Sequence, residues 1–314
     1  MSAAHRPLAG VLCPVITPFT ETLVPDTPRF LRQCRWLLEN DVGLAVFGTN
    51  SEGNSLSVQE RIGLLHAMAD AGIPMSRVLA GTGACSLSDA VTLTNVATAL
   101  GCAGVLMLPP FYYKTVSDDG LFAFYAEVLA GVKRGQPAVY LYHIPGVANI
   151  GFSHELIARL IGQYPGVIRG IKDTGGDPSQ TRDLLASFAS EDFAVFPGNE
   201  SDLVKFMEAG AAGCISATAN VNPKGLVALY RSLGSPEAGQ MQARADAIRA
   251  AFAKHPMIPA LKAALAWAFQ DDNLLRVRPP LMALSQAQRE QLVSALISLD
   301  FQPPVLREAL REAI

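Results

Sequence analysis

Eight times along this chain a short apolar run is followed by a stretch with helical spacing, and no other feature limits the fold so tightly. The runs are residues 10–16, 43–47, 77–80, 104–108, 138–142, 167–172, 193–196 and 213–216. Each is nearly continuously apolar, as strands of a parallel sheet must be when both faces are covered. Helical stripes follow at 27–40, 57–71, 86–100, 117–132, 153–161, 178–189 and 201–209, and Asn222-Pro223 opens the eighth. Their starts carry capping signals: Thr27 reads as an N-cap with Pro28 in the first turn, Ser57 and Glu60 form a capping box, and Ser153 caps its helix. A strand then a helix, repeated eight times, is the pattern of an α/β protein built as a (β/α)8 TIM barrel. The rival is a doubly wound open sheet. It needs a glycine fingerprint after the first strand, and Cys13-Pro14-Val15-Ile16-Thr17 contains none.

Beyond Gly234 the strand pattern stops. Residues 237–254, 256–269, 285–298 and 304–314 read as helices. The expected organisation is a barrel over residues 1–233 and a C-terminal α-helical extension over 234–314, packed on the barrel. A hydrophobic share of 50% over 314 residues suffices for a core of that size. A net charge of -3, with no Lys/Arg run, argues against nucleic acid as a partner. Five cysteines, an odd number without CxxC spacing, read as reduced core thiols of a cytoplasmic protein. The histidines show no metal-ligand spacing, so no metal and no cofactor are expected. Pro14 and Pro18 interrupt the first apolar run, and neither a signal peptide nor a membrane span is expected.

In such barrels the chemistry gathers at the C-terminal strand ends. The sixth strand ends in Lys172. There an ammonium loses hydration, which disfavours its charged form, and a neutral amine is a nucleophile that can condense with a ketone. The competing reading is a lysine that snorkels out to a carboxylate at the mouth. The other strand ends deliver Thr49, Asn50 and Ser51 after strand two, Tyr112 after strand four and Tyr142 at the end of strand five. Gly198, Asn199 and Glu200 follow strand seven, and Ile215 and Ser216 close strand eight. Each has a plainer reading. Tyr142 could be a core tyrosine, Thr49 and Asn50 turn formers, and Tyr112 interface packing. Asn199 and Glu200 read equally as contacts to the distal end of a substrate or as caps of the next helix. His143 reads as a rim residue, and Gly81-Thr82-Gly83 as close packing at the rim.

Gly48-Thr49-Asn50-Ser51-Glu52, Tyr142-His143-Ile144-Pro145 and Gly170-Ile171-Lys172-Asp173 stand in this order on strands two, five and six. With Ala80-Gly81-Thr82-Gly83-Ala84, Pro110-Phe111-Tyr112-Tyr113, Gly213-Cys214-Ile215-Ser216 and Ala219-Asn220, they make the chain resemble the dihydrodipicolinate synthase/N-acetylneuraminate lyase family over nearly its whole length. The resemblance implies a class I lyase in which Lys172 forms a Schiff base with a 2-keto acid, mostly pyruvate, and Tyr142 is the general acid/base. It implies that Thr49 and Asn50, with N–H groups of their turn, hold the keto-acid carboxylate. Tyr112 would complete a proton relay with Thr49 and Tyr142, often from a neighbouring subunit. Ser51, Gly198, Asn199, Glu200, Ile215 and Ser216 are the further candidate substrate-binding positions. The implied partners are pyruvate and an aldehyde, and the implied assembly is a homotetramer or at least a dimer.

Two positions depart from the lysine-pathway synthase of that family. Val147 stands where the synthase carries an arginine for a second carboxylate, and Asn50 where it usually has a second threonine. Asn50 and the Pro-x-Tyr-Tyr loop are similar to the family's 4-hydroxy-2-oxoglutarate and 2-keto-3-deoxy sugar-acid aldolases. The expectation is therefore a pyruvate-dependent aldolase acting on a 2-keto-4-hydroxy acid. The alternatives are a 2-keto-3-deoxy sugar-acid dehydratase, a sialic-acid-type lyase and 4-hydroxy-tetrahydrodipicolinate synthase itself, with Lys114 or Arg169 replacing the missing arginine. A non-catalytic binding barrel would not need the lysine, tyrosine and threonine positions all filled.

Overall fold

The structure, a computed structural model, describes residues 7–303, so the helix expected at 304–314 lies outside the described residues. Eight strands form one parallel sheet: β1 Gly10–Cys13, β2 Gly43–Val46, β3 Val78–Gly81, β4 Gly104–Met107, β5 Val139–His143, β6 Ile168–Asp173, β7 Ala194–Pro197 and β8 Gly213–Ile215. Their order is β7-β6-β5-β4-β3-β2-β1-β8, and the Ala212 N–H donates to the Val195 carbonyl at 3.0 Å where the ends of this order meet. The helices between and after them are α1 Thr27–Glu39, α2 Val58–Asp70, α3 Leu87–Ala99, α4 Asp118–Ala130, α5 Pro145–Ala148, α6 His154–Gln163, α7 Pro178–Phe188, α8 Leu203–Glu208 and α9 Pro223–Arg231. Three more, α10 Ala238–Ala253, α11 Met257–Phe269 and α12 Gln286–Ser298, follow the barrel. Among the described residues no helix is long and apolar enough to cross a membrane.

The elements differ from the sequence reading where local chemistry intervenes. β1 ends at Cys13 rather than at Ile16, and the next residue, Pro14, has no N–H to give a ladder. Asp26, not Thr27, caps α1: its carboxylate accepts the Arg29 N–H at 3.1 Å, and Thr27 is already helical. The capping box of Ser57 and Glu60 is present as expected. The helix expected from residue 201 starts at Leu203. Before it the Asn199 side chain accepts the Ser201 N–H at 2.8 Å, and Asp202 takes a left-handed conformation with φ 55°.

One irregularity in the sheet sets the site. On β5 and β6, Val139 pairs with Ile168, but the next residue, Tyr140, pairs with Gly170. Arg169 is thus an extra residue on β6. Continued without it, the first register would set Ile171 beside Tyr142. With it, Lys172 is the partner of Tyr142. Gly170 makes this approach possible. A Cβ there would lie 2.4 Å from the Ala194 carbonyl oxygen and 2.7 Å from the Tyr140 ring.

The core has two parts. The larger lies in and around the barrel. The smaller joins Ile248, Phe252, Leu261, Leu265, Leu292 and Leu296 of α10–α12 to Ile16, Ala217 and Val221. Ile16 follows β1, and Ala217 and Val221 follow β8, so the last three helices rest on the end of the barrel where the strands finish.

Gly170→Ala should therefore overpack the β5–β6–β7 junction. We expect a loss of about 1–3 kcal/mol, read as a lower denaturant midpoint with an unchanged slope.

Candidate active site

Lys172 lies at the C-terminal end of β6 and is 2% exposed. Its Nζ donates a hydrogen bond to Tyr142 Oη at 3.1 Å and stands 4.3 Å from the centre of the Tyr142 ring. It does not snorkel: among the described residues no carboxylate lies within 4.0 Å of it. Tyr142, also 2% exposed, shares a hydrogen bond of 3.2 Å with Thr49 Oγ1. Three strand ends, those of β6, β5 and β2, thus join their polar groups into one chain of hydrogen bonds. Burial pushes the Tyr142 phenol up, but the Lys172 charge and the hydrogen bonds to Thr49 and Lys172 outweigh it. The phenol is held below its ordinary value.

Thr49 and Asn50 stand in a tight double turn. Residues Thr49–Ser51 and Gly53–Ser55 each form a 3-10 turn, joined by Glu52 in the left-handed region at φ 54°. Gly53 is required there, since a Cβ would lie 2.0 Å from the Phe47 carbonyl oxygen. The N–H groups of Ser51 and Gly53 return to the Gly48 carbonyl, and that of Glu52 to Thr49. Among the described residues the turn leaves the N–H groups of Thr49 and Asn50 uncommitted, two adjacent donors suited to an anion. The Ser51 carbonyl accepts from Thr17 Oγ1 at 2.6 Å, while its own buried hydroxyl has no partner among the described residues. Gly81 and Gly83 are packing glycines, as read from the sequence: a Cβ on either would lie 2.4 Å from backbone of a neighbouring strand end, at Phe47 or Leu108.

The other sequence candidates are placed differently. Gly198 gives its N–H to the Asp173 carbonyl at 2.6 Å, and a Cβ there would collide with Thr174 Oγ1 at 2.1 Å. Gly198 thereby leaves room for Thr174, which neighbours Tyr142. Asn199 braces its own turn rather than capping α8. The Glu200 carboxylate, 1% exposed, takes the hydroxyls of Ser216 and Thr218 and the Arg249 guanidinium of α10 at 3.3 Å. Glu200 and Ser216 therefore tie β7, β8 and α10 together, and Ile215 is a core residue of β8. Tyr112 is 73% exposed, sits edge-on to Tyr113 at 5.3 Å, and has no bond to Thr49 or Tyr142 of its own chain. His143 is a rim residue. Its Nδ1 accepts the Phe152 N–H at 3.1 Å, and burial lowers its pKa against the opposing pull of Asp173.

Two groups escaped the sequence reading. Thr174 is in the Lys172 stretch itself, two residues on, and could have been read from there. The buried pair of Glu52 and Lys262 could not, because 210 residues separate its members. Burial pushes the Lys262 ammonium down to about 8, with Glu52 opposing the shift.

Comparison with known proteins makes the chain an enzyme of the lyase class. The chain matches the Dihydrodipicolinate synthetase family over residues 7–299, and it belongs to that family. An uncharacterised DapA-like lyase of Chloroflexus aurantiacus is 31% identical over 289 residues, 91% of this chain and 95% of its own length. The 4-hydroxy-tetrahydrodipicolinate synthase of Saccharophagus degradans is 32% identical over 297 residues, 92% of this chain and 98% of its own. The crystal structure of dihydrodipicolinate synthase from Agrobacterium tumefaciens superposes with a TM-score of 0.84 at 32% identity, covering 92% of this chain and 99% of that one.

The balance at Tyr142 is open to titration. Phenolate absorbance, taken as a difference against Tyr142→Phe, should place Tyr142 below an ordinary tyrosine. In Lys172→Met the opposing charge is gone and burial remains, so the same phenol should move up from its wild-type position.

Proposed function

We propose that this lyase is a pyruvate-dependent, Schiff-base-forming aldolase acting on a 2-keto-4-hydroxy acid. The observation that carries the reading is the buried Lys172 nitrogen, with no carboxylate beside it and a tyrosine hydroxyl at 3.1 Å. A neutral Nζ attacks the C2 ketone, and loss of water with uptake of the Tyr142 proton gives an iminium and leaves Tyr142 as a phenolate. When the C3–C4 bond breaks, its electron pair moves into the iminium to form an enamine. The C4 hydroxyl proton goes to Tyr142, so the aldehyde leaves without a free alkoxide. Protonation at C3 and hydrolysis then release pyruvate and the amine. Thr49 relays the proton, and the N–H groups of Thr49 and Asn50 hold the keto-acid carboxylate. Tyr112, exposed and outside the network of its own chain, joins the relay only from a second copy, which makes an oligomer part of the reading.

The aldehyde end is argued from charge. Val147 is 62% exposed on α5 and offers no donor. The Lys114 ammonium binds the carbonyls of Phe111 and Ala148. Arg169 lies at the bulge on the opposite half of β6, where its guanidinium meets Asp192 at 3.3 Å. None of the three supplies the bidentate contact that a second carboxylate favours. This supports a neutral, hydroxylated aldehyde, hence a 2-keto-3-deoxy sugar acid, ahead of 4-hydroxy-2-oxoglutarate. The relatives named 4-hydroxy-tetrahydrodipicolinate synthase make that activity the second reading, and Val147 counts against it.

Pyruvate with borohydride should leave one reduced adduct on the wild-type chain and none on Lys172→Arg, whose guanidinium is never neutral. Tyr142→Phe should still be trapped but cleave substrate about a hundredfold more slowly, seen as pyruvate release. Adduct formation on Lys172→Arg would remove Lys172 from the mechanism.

A retro-aldol panel, set against condensation of pyruvate with aspartate semialdehyde, decides the substrate. The sugar acids should exceed the semialdehyde by roughly thirty- to a thousandfold in kcat/KM. A semialdehyde rate above every panel member would return the chain to the second reading.

A further inference from the structure

The turn that carries Thr49 and Asn50 is held from behind by residues far along the chain. Its pivot, Glu52, has a side chain closed off from solvent and a backbone in the left-handed region, which a residue with a Cβ adopts at a cost unless its surroundings hold it there. Lys262 of α11 supplies the hold. Its ammonium donates to one Glu52 oxygen and, at 2.6 Å, to the Arg276 carbonyl, and it stands 4.5 Å from the centre of the Phe19 ring. The other Glu52 oxygen accepts the Arg278 N–H at 3.0 Å. The Arg278 guanidinium lies 4.7 Å from the same Phe19 ring and donates to the Ser55 carbonyl at 2.6 Å. The turn is therefore tied at its pivot and at its far end to the segment that begins with α11.

An ion pair in such a place is poorly explained by stability. Buried pairs are often replaced by well-packed neutral side chains without loss, and the use left to them is to fix one arrangement. What this pair fixes is next to Lys172. Glu52 is three residues from Thr49, whose hydroxyl meets Tyr142, and two from Asn50. We infer that Lys262 is a positioning residue: through Glu52 it sets the turn so that Thr49 reaches Tyr142 and the Thr49 and Asn50 N–H groups converge on the keto-acid carboxylate. The last clause rests on the function proposed above; the hold on the turn does not.

The test uses the full chain carrying both Lys262→Met and Glu52→Gln, which removes both charges and keeps side-chain length. This double variant carries the test even where Lys262→Met alone fails to fold. Hydrogen exchange reads the hold without substrate: amides of residues 48–56 should exchange at least about tenfold faster, with the strands unchanged. Pyruvate trapping by borohydride reads the consequence. Half-saturating pyruvate should rise roughly ten- to a hundredfold while the melting temperature stays near wild type. A purely structural role would lower the melting temperature and leave half-saturation in the folded protein alone. Unchanged exchange at 48–56, or unchanged half-saturation, overturns the inference. A wild-type chain that traps no pyruvate, with faster exchange at 48–56 in the variant, overturns the proposed function and leaves the hold standing.

Discussion

The site depends on one extra residue in a strand. Side chains alternate along β6, so the Arg169 bulge decides whether Ile171 or Lys172 lies beside Tyr142. Everything chemical follows from that choice. The lysine meets the phenol, the phenol meets Thr49, and the three form a chain across the barrel mouth. Gly170 lets the bulged strand close against its neighbours, and Gly198 leaves Thr174 its space beside Tyr142.

The surroundings of Lys172 gain meaning from comparison with other cations in the same molecule. Lys262 is buried against Glu52, Arg32 against Asp271, and Arg249 reaches the buried Glu200. The fold thus supplies carboxylates to the cations that bind its parts together. Lys172 receives a phenol and an aromatic face instead. A carboxylate would hold the ammonium charged. A phenol is a weaker partner that can also carry a proton, which suits the proposed condensation with a ketone.

The C-terminal helices belong to this arrangement as well. They cover the residues that follow β1 and β8, and through Lys262, Arg276 and Arg278 they reach the turn after β2. Glu200 and Arg249 repeat the connection on the other side, from the loop after β7 to α10. A barrel whose strand-end loops moved independently would hold Thr49 and Tyr142 in register only part of the time.

The eight strands, their helices and the strand-end positions of Lys172, Tyr142 and Thr49 were legible in the sequence, because apolar runs and helical spacing are local signals. The resemblance in motifs led to the family that the comparison then established. Local chemistry misled at the edges: Thr27 looked like the cap that Asp26 is, and β1 stopped short of its apolar run. The site was legible as a set of residues but not as a set of contacts. Asn199, Glu200, Ile215 and Ser216 stood at the right ends of the right strands, yet their side chains serve the turn, the core and α10. Tyr112 lies outside the network of its own chain. The pairing of Tyr142 with Lys172, the hold of Lys262 on Glu52 and the use of Glu200 by Arg249 were decided by the tertiary structure alone. Each depends on register or on residues distant in the chain, and periodicity along a single strand or helix carries no information about either.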